Sequence, residues 1–333
     1  MKNVVILGST GSLGTQSIEI LQKYTNDFRI IGLSANTSKE VLNSQVKDLE
    51  INPENIILTS LDGEDAMNEL ASLEEADIVI NVLSGTAGIE PTSSALRANK
   101  TLLLGNKESL VAAGEEVVKL ATPEQLVPLD SEHNAIYEIL RKNPGKTIKK
   151  IIIPCSGGPF FGQKDLSNIT AEQALAHPKW RMGKKVSIES ATLLNKGLEI
   201  IEAHYLFNLP LEKIEARIHP ECQIHGIVEF ENDPNSHAYI SDPDMREHIE
   251  NALLRAINQA PQNRTRIIQP NEFTLLPPDH ETFPGIKIVT DAFNRDRTKM
   301  SQFLKKEESL IDQFLQNKIK FTQIFDILRN FYS

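Results

Sequence analysis

Short apolar runs punctuate the first 130 residues, and each is followed by text with apolar positions at helical spacing. Residues 3–7 (NVVIL) read as a buried strand, GSTGSLG follows, and TQSIEILQKY carries the three-to-four-residue period of a helix. FRIIGLSA at 28–35, NIILTS at 55–60, ADIVINVL at 76–83 and KTLLLG at 100–105 repeat the strand signal, with helix-like segments between them. Strands alternating with helices predict parallel βαβ units in a doubly wound sheet. The rhythm ends near LVPLDSEHN, residues 126–134.

The middle of the chain has another texture. KKIIIPCSGGPFF (149–161) predicts a strand running into a Gly/Pro turn, and TAEQALAHPKW (170–180) a short helix stopped by Pro178. RMGKKVSIES reads as a loop before the helix of SATLLNKGLEIIEAHYLF. RIHPECQIHGIVEF (217–230) and SHAYIS (236–241) read as antiparallel strands, and residues 286–333 are helical and charged with no strand signal. No internal repeat or low-complexity segment is present.

A chain of 333 residues predicts about two domains with an appendage. With 40% hydrophobic and 24% charged residues it has the usage of an ordinary globular protein, which excludes wholesale disorder. The formal charge of −10 repels phosphate backbones and argues against nucleic-acid binding, while leaving room for a local basic pocket. Cys155 and Cys222 are the only cysteines and form no CxxC pair, which excludes a disulfide scaffold and a cysteine zinc site and fits a reducing cytosol. No apolar stretch approaches the roughly 18–20 residues needed to cross a bilayer, and Val4–Leu7 is too short for a signal peptide, so no membrane association is expected.

Gly8, Gly11 and Gly14 stand between the first strand and first helix in the spacing GxxGxxG. Such glycines permit a tight turn and let backbone N–H groups approach a pyrophosphate, to which a helix N-terminus adds partial positive charge. A plain strand–helix turn uses the same residues; the place in the first βα unit is what favours a nucleotide. At the end of the second strand an acidic residue would hold a ribose 2′-hydroxyl, whereas this chain has Ala35-Asn36-Thr37-Ser38-Lys39. That set suits the 2′-phosphate of NADP, or forms a polar loop with a helix cap.

Asp130-Ser131-Glu132-His133 follows an apolar segment, and on an extended backbone its two carboxylates point to one side. They suit a hard cation such as Mg²⁺ or Mn²⁺, or they make a solvated turn. Glu199, in NKGLE, is a third candidate that spacing cannot assign. Ser156-Gly157-Gly158 offers a hydroxyl and amides to an anion; Ser190, Asn195 and Lys196 add donors and a charge from another segment. Singly these read as a turn, a cap and a surface lysine; together they suit a phosphate monoester. His177, Trp180 and Met182 lie in a Pro/Gly-bracketed stretch that reads as a lid or as a core tryptophan beside a helix-end histidine. The histidines show no HExxH spacing and Ser156 no GxSxG elbow, which leaves zinc-hydrolase and α/β-hydrolase readings unsupported.

The text ILGSTGSLG (6–14), GNKESLV (105–111), LDSEHNAI (129–136), SGGPF (156–160), HPKWRMGKK (177–185), ESATLLNKGLE (189–199), IHPE and QIHG (218–226) and DPDMR (242–246) resembles the 1-deoxy-D-xylulose 5-phosphate reductoisomerase family of the non-mevalonate isoprenoid pathway. The motifs are long and in the family's order, and FPGIKIVTDAF (283–293) extends the likeness more weakly. The resemblance implies NADPH- and metal-dependent isomerisation and reduction of 1-deoxy-D-xylulose 5-phosphate to 2-C-methyl-D-erythritol 4-phosphate. It also implies a homodimer, while the cysteine usage and the lack of a long apolar stretch predict a cytoplasmic protein. The α/β fold it implies has a Rossmann-like NADP-binding domain at 1–129 and a catalytic α/β domain with a mobile lid at 130–255. A linker at 256–285 and a reduced helical C-terminal domain at 286–333 follow. The residues by themselves also fit an NADP-linked reductase of another phosphorylated hydroxy-carbonyl, or a non-catalytic NADP-binding homologue.

By the same resemblance Asp130, Glu132 and Glu199 are metal ligands, and Lys107 and Ser131 contact substrate. Ser156, Ser190, Asn195 and Lys196 form the phosphate pocket with His177 beside it, and Trp180 and Met182 belong to the lid. Thr10, Gly11, Ser12 and Leu13 form the pyrophosphate turn, with Asn106, Glu108 and Gly183 as further cofactor contacts, and His133 and His225 support activity; Asn36 is a cofactor contact by its place at the end of the second strand. The chain departs from the family at Asn36 and Thr37, where Gly and Lys are usual, and at Cys222 and Gly226, where serines are. It departs again at SQFLKKEES (301–309), which replaces a NAANE-like segment in a tail some tens of residues short.

Overall fold

The structure, a computed structural model, describes residues 1–122, 124–269 and 271–331. Positions 332 and 333, the end of the expected C-terminal helical segment, lie outside the described residues. The chain divides into two compact units, residues 1–130 with 244–262, and residues 131–243 with 263–333.

The first unit is built on β1 (Lys2–Leu7), β2 (Phe28–Ala35), β3 (Ile56–Leu58), β4 (Ile78–Asn81), β5 (Thr101–Leu104) and β6 (Leu126–Pro128), all parallel in the order β3-β2-β1-β4-β5-β6. Between them run α1 (Ser12–Leu21), α2 (Lys39–Lys47), α3 (Thr59–Ala71), α4 (Ile89–Arg97) and α5 (Lys107–Leu120). Val4 to Leu7 and Leu102 to Leu104 are fully buried, as strands covered on both faces require. The order reverses between β1 and β4, the place where such sheets open a crevice for a nucleotide. The strand expected over 55–60 ends at Leu58, because Asp62 accepts the Leu58 N–H at 2.7 Å and the next residue, Thr59, already begins α3.

The second unit begins with α6 (Ser131–Arg141), β7 (Ile148–Cys155), α7 (Ala171–Leu175), α8 (Lys184–Thr192), α9 (Leu194–Leu206), β8 (Ile214–Ile218), β9 (Ile224–Phe230) and β10 (Ser236–Ile240). After α10 (Met245–Ala256) it resumes with β11 (Thr265–Ile268), α11 (Gly285–Arg295), α12 (Met300–Leu315) and α13 (Phe321–Arg329). Its sheet has the order β11-β10-β9-β7-β8, with β7 parallel to β8 and the other pairs antiparallel. Helix α6 lies so close to β9 that a Cβ at Gly226 would stand 2.9 Å from Ile136 Cγ1. Past β11 the chain crosses to the opposite edge, where Leu276 bridges Ile218, and Phe273 and Leu275 pack on Ile152, Ile224 and Ile227 on the way.

The short helix expected within 170–180 spans Ala171–Leu175 and has ended before Pro178. The loop expected over 181–190 turns helical at Lys184, where the Gly183 carbonyl accepts from both the N–H and the hydroxyl of Ser187 at 3.0 Å. The strand read through 217–230 breaks at 219–223, with Cys222 at φ +56°. Helix α10 and the start of the expected linker join the first unit: Arg246 Nε donates to Glu19 at 2.9 Å and the Tyr24 hydroxyl to Glu250. The rest of that linker contains β11. No helix among the described residues is long and apolar enough to cross a membrane.

Candidate active site

The glycine turn is set by sterics and backbone bonds. Gly8 has φ +88° and donates to Ser34 Oγ at 3.1 Å, and a Cβ on it would stand 3.0 Å from Val82 O. A Cβ on Gly14 would stand 2.3 Å from Gly8 O, so side chains at both positions are refused. Gly11, the N-cap of α1, meets only Gly8 O at 3.4 Å, and Gly11 and Ser12 are exposed with Thr10 and Leu13 half-buried beside them. A helix N-terminus with open N–H groups is thereby presented to solvent, as a pyrophosphate needs. Gln45 on α2 braces the turn, accepting from Ser9 Oγ at 2.8 Å and donating to Ser9 O at 2.9 Å. Asn36 to Lys39 are all exposed at the end of β2, so an amide, two hydroxyls and an ammonium face solvent there.

Asn106 and Glu108 are buried in the same unit and turned inward. Asn106 Nδ2 donates to Gly85 O at 2.8 Å, Glu108 Oε1 accepts from Gly85 N at 3.0 Å, and Asn106 Oδ1 accepts from Ser109 N at 3.0 Å. They brace the loop after β4. Between them in sequence, Lys107 Nζ pairs with Asp130 at 2.6 Å, with both side chains largely buried.

In the second unit the carboxylates converge. Glu132 stands in the first turn of α6; Lys196 and Glu199 share one face of α9. Lys196 Nζ donates to Glu132 Oε1 at 2.6 Å, Glu199 Oε2 at 2.5 Å and Pro154 O at 2.8 Å, with only 3% of Lys196 exposed. Burial alone would push the ammonium's pKa down, but the two carboxylates outweigh it and hold it above the usual lysine range. Ser131 donates to Glu132 and Asn195 to Glu199. These are hard oxygen donors of the kind Mg²⁺ and Mn²⁺ take, and no thiolate competes: burial pushes the Cys155 thiol up to about 12 and the Cys222 thiol to about 11.

The Gly-rich loop after β7 forms the second feature. Ser156 Oγ lies 2.9 Å from His177 Nε2 and accepts from Gly158 N at 3.0 Å. His177 Nδ1 accepts from Trp180 N at 2.9 Å and from Lys179 N at 3.2 Å, so Nδ1 carries no proton and Nε2 donates to the serine. Ser156 Oγ, accepting twice, keeps its own proton as a donor. Burial pushes the His177 pKa down to about 4. A Cβ on Gly158 would stand 2.9 Å from Ser190 O, so the loop lies directly against α8.

Glu132, Ser156, Trp180, His219, Cys222 and His225 line one cleft of this unit. The Trp180 ring stands edge-on to His225 at 6.0 Å, and His225 Nε2 lies 3.3 Å from Ser241 O. Met182 is half-buried and Gly183 caps α8. His133 lies fully buried against α9, with Nε2 2.9 Å from Glu199 O.

Two residues were not singled out in the sequence. His219 is fully buried at the wall of the cleft, its Nε2 accepting from Gln223 N and Ile224 N and its Nδ1 donating to Thr274 O at 3.0 Å. A histidine before a proline carries no local signal of that role. Glu202, also fully buried, was detectable as an acidic residue three positions after Glu199 in the apolar text GLEIIEAHYL.

Comparison with known proteins gives concordant matches. The family model described as 1-deoxy-D-xylulose 5-phosphate reductoisomerase matches residues 4–60 and 50–114, and two models of that enzyme's C-terminal domain match 126–207 and 240–333. The likeness thus runs through the tail, beyond the motifs legible by eye. The reductoisomerase of Thermodesulfovibrio yellowstonii is 38% identical, over 99% of this chain and 91% of its own length. That of Sulfurihydrogenibium sp. is 39% identical, over 98% and 90%. Among solved structures, the Zymomonas mobilis reductoisomerase in complex with NADPH matches with a TM-score of 0.83 at 31% identity, over 99% of this chain and 90% of that one. A reductoisomerase in complex with NADPH, fosmidomycin and magnesium matches with 0.84 at 30%, over 99% and 88%.

Proposed function

The chain belongs to the 1-deoxy-D-xylulose 5-phosphate reductoisomerase family, and from that membership we infer how its own residues divide the work. The enzyme is an NADP-dependent oxidoreductase that isomerises 1-deoxy-D-xylulose 5-phosphate and reduces the product to 2-C-methyl-D-erythritol 4-phosphate. Its cofactors are NADPH and a divalent ion, magnesium in the related structures.

Asp130, Glu132 and Glu199 would hold the cation, which when bound would supply Lewis-acid polarisation of the substrate's oxygens. The observation that carries this reading is that Glu132 and Glu199, from two helices, both turn a carboxylate to the buried Lys196 ammonium. Asp130 directly precedes Ser131, at the start of α6, and adds a third hard oxygen donor. Lys196 supplies positive charge to these carboxylates and to the substrate phosphate. Ser156 donates its remaining proton to that phosphate, an orientation supported by the two bonds it already accepts. Ser190 and Asn195 complete the phosphate pocket. Lys107 and Ser131 bind the sugar oxygens, and His225 with Trp180 closes the apolar side of the substrate, with Met182 on the same lid.

The turn Thr10 to Leu13 receives the pyrophosphate of NADPH. Asn36 and Lys39 meet the 2′-phosphate, and Asn106, Glu108 and Gly183 shape the remaining contacts. The chain acts as a homodimer in the cytoplasm; the unpaired thiols of Cys155 and Cys222 support a reducing compartment, and the dimer follows from family likeness alone.

The direct test is NADPH oxidation by the purified chain with 1-deoxy-D-xylulose 5-phosphate and Mg²⁺ or Mn²⁺, with a chelator control. Metal-dependent formation of methylerythritol phosphate is expected. NADPH binding without turnover under saturating metal would overturn the assignment for this chain.

A further inference from the structure

Helices α6 and α9 each bring one carboxylate to the cluster, and the ion pairs of Lys196 do not fix their spacing, because a four-carbon ammonium follows its partners. A stiffer link lies one residue along. His133, next to Glu132, is fully buried, and α9 holds its ring on several sides. Its Nε2 lies 2.9 Å from the backbone oxygen of Glu199; a carbonyl only accepts, so Nε2 carries a proton and donates. Its Nδ1 faces Glu202 Oε2 at 3.3 Å. The ring of Phe207, the C-cap of α9, stacks on it with centroids 6.3 Å apart and planes 22° apart.

Glu202 stands three residues after Glu199 and has no exposed surface. With no surface exposed, it offers substrate no face to touch. A fully buried carboxylate is costly to keep. Here it faces the histidine that touches the backbone of one proposed metal ligand and is bonded in sequence to the other. Groups that orient metal ligands from behind tune affinity without touching the ion.

We propose that Glu202 is a positioning residue: acting through His133, it sets the separation of Glu132 and Glu199 and thereby the affinity for the divalent cation. The inference rests on the metal reading given above. Its test is direct Mn²⁺ binding by the full chain, followed by electron paramagnetic resonance, with NADPH binding and thermal melting measured alongside. Glu202→Met keeps the buried volume and removes the polar partner of His133. It should weaken Mn²⁺ by roughly 10- to 100-fold with NADPH affinity unchanged, the range seen when such supporting groups are removed. Glu202→Gln, which keeps a polar atom opposite Nδ1, should retain most of the affinity.

A folded Glu202→Met that binds Mn²⁺ as the wild type does, even with a lowered melting temperature, overturns the proposal. If that variant fails to fold, Glu202→Asp withdraws the carboxylate by one methylene, and wild-type affinity there has the same meaning. Glu199→Gln separates the two readings. Loss of Mn²⁺ in Glu199→Gln with none in the Glu202 variants sinks the positioning role alone; no loss in Glu199→Gln sinks the metal assignment itself.

Discussion

The glycine turn of the first unit and the carboxylate–lysine cluster of the second are built from opposite materials. The turn is backbone: what it offers is N–H groups, and side chains matter there by being absent, as at Gly14, where a Cβ would meet Gly8 O at 2.3 Å. The cluster is side chain: Glu132, Lys196 and Glu199 come from two helices, and the chain contributes one carbonyl, that of Pro154. A backbone site fails when space is taken away. A side-chain site fails when charge is left uncompensated.

The largest effect should come from removing the ammonium. Lys196→Ala leaves Glu132 and Glu199 facing each other with their shared cation gone, and breaking a buried pair in this way costs about 3–5 kcal/mol. Chemical denaturation should show that loss, and added Mn²⁺ should restore stability in this variant more than in the wild type. Equal stabilisation of both would mean that the carboxylates are not the cation's site.

Glu132→Gln probes the same cluster without unbalancing it, because Lys196 keeps Glu199 as a charged partner. Folding should survive while turnover falls. Removing part of a cation site forfeits several kcal/mol of transition-state stabilisation, or about 10²- to 10³-fold in turnover. A steady-state assay at saturating metal returning wild-type turnover would refute the role.

The turn gives a smaller and differently divided response. Gly14→Ala overpacks backbone against backbone and should lower stability by about 1–3 kcal/mol. Gly11→Ala meets only an ordinary contact at 3.4 Å, so it should leave the melting temperature alone and weaken NADPH by blocking the approach of the pyrophosphate. Parallel melting and NADPH titration of the two variants would erase the contrast if both properties moved together.

What the sequence displayed follows the same division. Apolar runs and spaced glycines act on the backbone within a few residues, so the parallel sheet and the turn at 8–14 were legible in it. The cluster was not. Glu132 and Glu199 lie far apart in the chain, and only the packing of α6 and α9 joins them; resemblance to a family, not spacing, named Glu199 in advance. Helix α8 was hidden because KKVSIES mixes β-branched residues and serines, and its start depends on the Gly183 carbonyl accepting from Ser187. The return of α10 to the first unit was hidden as well, since Arg246–Glu19 and Tyr24–Glu250 are pairings between distant segments.

The smallest effect concerns His177, which has something of both materials: a side chain whose state is dictated by backbone. Its Nδ1 accepts two N–H groups, from Lys179 and Trp180, and a proton placed there would confront both donors. The ring should therefore remain neutral with its proton on Nε2, donating to Ser156, and burial pushes its pKa down to about 4. An unfolded chain takes up that proton near 6.5. Between those two values the unfolded state binds a proton that the folded state refuses, so this residue's contribution to stability is complete above about pH 6.5 and is lost as the pH falls toward 4. Phosphate binding at Ser156 should accordingly show no inflection assignable to His177 between pH 8 and about 5. The check is the His177 ring resonance in a pH titration by NMR, assigned with His177→Gln. A midpoint near 6.5 would mean that the backbone donors of the 179–180 segment do not hold the ring, and that the loop is governed by charge, like the cluster, after all.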